Sequence, residues 1–153
     1  MKTAGTAPNY QGLYNCVATA QRATDAQLAA TPADFKPVQR ARGITGSMVE
    51  CDEVFDHLGD IRAAGWSVPT THPDLVPAAE AGRLVDLFRI AGEDPKAQAL
   101  GADFMAKLAH AIDASSALEA SIVGNAASDR IDANYKLVQA SCKDCHASYR
   151  DKK

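Results

Sequence analysis

The chain has 153 residues, 46% of them hydrophobic and 23% charged, with a formal net charge of −3; these values describe one globular domain, 1–153, with room for a core. An acidic chain with a pI near 5.7 lacks the basic footprint of a nucleic-acid binder. Its longest uncharged run, Thr3 to Gln21, contains Pro8, Asn9, Gln11, Gly12 and Asn15, so neither a membrane span nor the apolar core of a signal peptide is read there.

Aromatics at 6%, with Ala and Leu abundant, favour helices over sheets, and apolar residues recur at helical spacing along the whole chain. A first helix is expected over about 9–30, with a thin apolar face of Tyr10, Leu13, Tyr14, Val17 and Leu28. Thr31-Pro32-Ala33-Asp34 ends it, since proline disfavours helix in the residue before it; 1–33 therefore reads as a helical extension. A second helix begins between 37 and 43 and ends near 64. Its residues Ala41, Ile44, Met48, Cys51, Phe55, Leu58 and Arg62 alternate steps of three and four, the seam of a helix packed lengthwise on others. Glu50, Asp52, Glu53, Asp56 and Asp60 make its other side a solvated acidic face.

Gly65 is a helix stop and 65–73 a loop. A third helix spans about 73–91 with Val76, Leu84, Leu87 and Phe88 inward, and Gly92-Glu93-Asp94-Pro95 makes a tight turn. A fourth covers about 96–122, showing Leu100, Phe104, Leu108, Ala111, Ser115, Leu118 and Ile122 on one side. Gly124-Asn125 closes it. The last helix opens near Ser128, whose hydroxyl is placed to cap it, and carries Ile131, Tyr135, Val138, Cys142, Cys145 and Tyr149 on one face. Each of the last four is about 30 Å long at 1.5 Å per residue, and short joints make neighbours antiparallel. The expected fold is all-α: an up-down-up-down four-helix bundle over 37–150 with an additional N-terminal helix.

The chemistry is concentrated in Cys142-Lys143-Asp144-Cys145-His146. Cys-x-x-Cys-His is the attachment signature of c-type haem. On a helix, Cys142 and Cys145 lie one turn apart on one face, with His146 one turn beyond Cys142. Two thiols at this spacing suit thioethers to the two vinyl groups on one haem edge, and the imidazole then takes one axial position on iron. A zinc half-site would need a second pair of ligands, which Cys16 and Cys51 do not form. A thioredoxin-like pair would need a strand before it and a helix after it.

The segment from Ser141 to Arg150, SCKDCHASYR, resembles the haem-binding end of the class II cytochromes c, the family that includes cytochrome c′. The likeness extends in register to Phe104 and Leu108. In that family a four-helix bundle carries its Cys-x-x-Cys-His near the end of the last helix. The resemblance implies one covalently attached haem c, electron transfer between redox partner proteins rather than enzymatic turnover, and a possible homodimer. Covalent haem is normally attached outside the bacterial cytoplasm, so a mature exported or periplasmic protein is expected. Arg150 is the counterpart of a basic residue that faces the proximal imidazole or a propionate; the plainer reading is a cation at a helix C-terminus.

The other axial position decides what the iron does. Methionine gives a low-spin electron-transfer centre, whereas an open position binds small gases such as NO or CO. The candidates are Met48, Met105, His57, His72 and His110. His146 is near the end of the last helix, so the first two turns of its antiparallel neighbours reach the iron. Met48 lies roughly 8–12 Å along its helix and on the seam, while Met105 lies roughly 13 Å along, beside the stripe. Both histidines on helices are a turn or more further, and His72 is in the opposite loop. Met48 is the expected ligand, in agreement with the low-spin members of the family. The alternative is that Met48 only fills space beside the ring and leaves a five-coordinate, cytochrome c′-type site. Phe104 and Leu108 are expected against the haem. A haem peroxidase would place a polar group over the iron, for which only Arg40 and Arg42 are near. Cys16 and Cys51 either form a disulfide, worth roughly 4 kcal/mol on the chain-entropy account, or are buried thiols.

Overall fold

The structure is a computed structural model that describes residues 24–30 and 43–150. Within them the chain forms α1 (Asp25–Ala30), α2 (Gly43–Ala63), α3 (Pro77–Glu93), α4 (Pro95–Gln98), α5 (Ala102–Val123) and α6 (Ser128–Tyr149), with no strand among the described residues. The protein is all-α. Of the expected helix over 9–30, only α1 is described; Cys16, Arg40, Arg42 and the start of the second predicted helix lie outside the described residues.

α3 packs on α2 and on α5, and α5 on α6. Cross-contacts fix the directions. Glu80 of α3 meets His57 of α2, whereas Arg83, further along α3, reaches back to Glu53. On α6, Asp144 meets Lys107 of α5 and Asn134 donates to the Ala117 carbonyl. Each of these pairs is antiparallel. Apolar side chains from all four long helices meet in one core, in which Val54, Leu58, Ile61, Leu118 and Val138 have no exposure. Replacing Leu58 with alanine is expected to cost about 2–5 kcal/mol in a denaturant melt, through lost burial and the cavity left behind.

Four local expectations are corrected. The fourth predicted helix is two: α4 ends at Gln98, and α5 starts only after Gly101, whose φ of +92° no residue with a Cβ adopts easily. α3 begins four residues late, because His72 to Val76 close a short turn. Ala127, not Ser128, occupies the cap position of α6, and no side chain caps it. Finally, the buried line of α2 is Ser47, Cys51, Val54, Leu58 and Ile61. Ile44, Met48 and Phe55 are half-buried beside that line, and Arg62, Val76 and Leu100 are exposed. A helix with neighbours on two sides buries a stripe wider than a single seam.

α2 and α6 meet through side chains at one end. Phe55 stacks on Tyr135 at 4.8 Å between ring centroids. Arg62 donates twice to Asp132, at 3.0 and 2.9 Å, and Trp66 Nε1 donates to the same carboxylate at 2.9 Å. These donors hold the Asp132 carboxyl down at about 2. A carboxylate depressed in the folded state stabilises it above the unfolded value of about 4, and that contribution is lost as pH falls towards 2. Asp132→Asn should therefore flatten the acid limb of the stability–pH curve between about pH 4 and 2, measured by urea melts at stepped pH.

Candidate functional site

Towards the other end, where α2 starts and α6 finishes, the two helices flank a cavity of about 620 Å³ whose floor comes from α3 and α5. The seven residues expected around the haem line it: Cys142, Cys145 and His146 from α6, Arg150 at its C-terminal cap, Met48 from α2, and Phe104 and Leu108 from α5. Leu84, Phe88 and Ala111 complete an apolar floor, while Lys107, Lys143 and Asp52 add charge to the wall.

The spacing of the motif explains its placement. Positions 142, 145 and 146 share one face of a helix, and that face is turned inward because Ile131, Tyr135 and Val138 continue it into the core. Two polar links to α5 hold the end of α6. Lys107 Nζ donates to Asp144 Oδ2 at 2.5 Å, and Tyr149 Oη donates to Asp103 Oδ2 at 2.8 Å. The Tyr149 ring also meets Phe104 edge-on at 5.0 Å. The contacts of Asp103, Lys107 and Asp144 are not legible in the sequence, since charges on helix surfaces ordinarily read as solvated.

The alternative axial candidates lie elsewhere. Met105 is off the cavity wall: its methyl lies on the α3 side, 3.7 Å from where a Cβ on Gly92 would stand. His57 Nδ1 is 2.9 Å from Glu80 Oε2 on the α2–α3 face. His72 is exposed in the turn before α3, and His110 is exposed on α5. Among the described residues, the sulfur and imidazole groups on the cavity wall are Met48, Cys51, Cys142, Cys145 and His146. No cluster of three or more His, Cys, Asp or Glu side chains suited to a bare metal ion occurs among the described residues.

Cys51, Cys142 and Cys145 are free thiols. Burial pushes Cys51 up to about 12, with Cys142, Asp52 and Glu50 adding to the effect. Burial also raises Cys142 and Cys145, and Lys107 opposes the rise at Cys145. The thiolate is the reactive form, so at neutral pH native Cys51 should be alkylated about a thousandfold more slowly than an exposed cysteine. Peptide mapping after iodoacetamide treatment, with and without denaturant, checks this.

Comparison with protein-family models, curated proteins and solved structures finds no match to this chain. Among the described residues no helix is long and apolar enough to cross a membrane.

Proposed function

We propose that the chain is a mono-haem c-type cytochrome of the class II kind, an up-down-up-down four-helix bundle with an additional N-terminal helix. It acts as an exported electron carrier between redox partner proteins. The observation that carries this reading is that both motif thiols, His146 and Met48 line the same cavity of about 620 Å³, well inside the ~300–1,000 Å³ range of cofactor sites. The donor set fits the cofactor. The two motif thiols, one imidazole and one thioether around an apolar floor suit a flat, iron-centred macrocycle, with Cys51 a third, buried thiol on the wall.

Each residue has a separate task. Cys142 and Cys145 would hold the haem covalently through two thioethers, each made by addition of a thiol S–H across a vinyl group with no leaving group. His146 would offer an imidazole nitrogen to the iron, and Met48 a thioether sulfur. Phe104, Leu108, Leu84 and Phe88 exclude water and keep the surroundings of low polarity. Arg150 and Lys143 provide cations for carboxylate groups at the rim. When bound, haem supplies a one-electron iron couple whose potential follows the axial ligands and the dryness of the pocket.

Absorption spectra of both oxidation states, with and without carbon monoxide, test the reading. A low-spin centre that resists carbon monoxide is expected. Prompt carbon monoxide binding would instead favour a five-coordinate, gas-binding protein, and a colourless product would remove both readings.

A further inference from the structure

Met48 stands one turn, about 6 Å, beyond Ile44, and both line the cavity. The first turn, which carries Ile44 and precedes the turn that carries Met48, is pinned from outside its own helix. Ile44 N–H donates to Asp94 Oδ2 at 2.7 Å, across 50 residues of sequence. The other carboxylate oxygen, Oδ1, accepts from Lys96 N–H at 2.9 Å and caps α4. Asp94 is itself fixed, because its backbone N–H closes the end of α3 on the Ala91 carbonyl.

The approach is tight. Gly43 sits at φ +68°, and a Cβ there would stand 2.5 Å from Asp94 Oδ2. Early N–H groups of a helix have no acceptor within it, and a carboxylate at that end also meets the positive end of the helix dipole. One side chain thus joins the start of α2 to the α3–α4 joint.

We infer that Asp94 is a positioning residue for the Met48 thioether: by holding Ile44 N–H against the α3–α4 joint, it sets where the sulfur stands in the cavity. This rests on the proposal that Met48 is the axial ligand. Without the pin, the first turn of α2 frays and the sulfur is displaced from the iron for part of the time.

The test uses the full-length haem-loaded protein and the variants Asp94→Ala, Asp94→Asn and Gly43→Ala, with Met48→Ala beside them. Three quantities are read: the low-spin fraction of the ferric spectrum, the rate of carbon monoxide binding to the reduced form, and hydrogen exchange at the Ile44 amide. Loss of a charge-assisted hydrogen bond should speed exchange at Ile44 and carbon monoxide binding about tenfold each in Asp94→Ala, with a mixed-spin ferric spectrum. Asp94→Asn, which keeps one carbonyl acceptor, should recover part of the low-spin fraction. Gly43→Ala, which disturbs the same contact from the other side, should resemble Asp94→Ala and serves if that variant does not fold. If Met48→Ala turns the protein high-spin while Asp94→Ala and Gly43→Ala keep the parent spectrum and carbon monoxide rate, the inference is overturned and the ligand reading stands. If Met48→Ala leaves the parent spectrum unchanged, both fall.

Discussion

Met48→Ala is expected to convert the ferric protein from low-spin to high-spin and to let the reduced protein take up carbon monoxide to one equivalent. Four other side chains were eligible as sixth ligands from the sequence, and none of them is on the cavity wall. Met105 packs towards Gly92, His57 is engaged by Glu80, and His72 and His110 point to solvent. The matched control is Met105→Ala, which should keep the low-spin spectrum while losing stability. Both substitutions remove a half-buried side chain, so each should cost about 1–3 kcal/mol, somewhat under the range for full burial. Only one should change the spin state. That contrast separates ligation from packing, which a stability measurement cannot do.

Removing the motif thiols should have an effect of comparable size on a different quantity. Cys142→Ala with Cys145→Ala is expected to abolish haem that survives denaturation and solvent extraction, while each single variant should retain one thioether. A thioether is a covalent bond, so the outcome is all-or-none per site rather than graded. His146→Ala should keep the covalent pigment but lose the low-spin spectrum, and added imidazole should restore it. Cys51→Ala separates the third thiol of the cavity from the other two. Cys51 is buried with its thiol raised to about 12, and the pigment of that variant should be unchanged. Loss of covalent haem in Cys51→Ala would contradict the assignment of the two attachment sites.

Much of this arrangement is written in local pattern. The helices follow from period-3.6 apolar spacing, and two of their limits from Gly65 and Gly124, residues that act within a turn of themselves. The convergence of Met48 with Cys142 follows from one further step, that α2 and α6 run in opposite directions. What escaped is set by tertiary contact. Val54 and Ile61 are buried because α2 has neighbours on two sides, a fact that a single seam does not carry. The break at Gly101 looks like any tolerated helix glycine until its φ is known. Asp94 reads as a turn residue, and nothing in the spacing tells that its second oxygen reaches Ile44. Likewise, Lys107 and Asp144 are 37 residues apart, too far for any helical-pair rule to connect.

A haem carried covalently by α6 is the central proposal. Its most direct test is the intact mass of the full chain produced in a host that attaches c-type haem, measured after denaturation and thiol alkylation. The prediction is one species heavier by a single haem, with alkylation absent from Cys142 and Cys145. A protein at its apo mass, with both of those thiols alkylated, would contradict it.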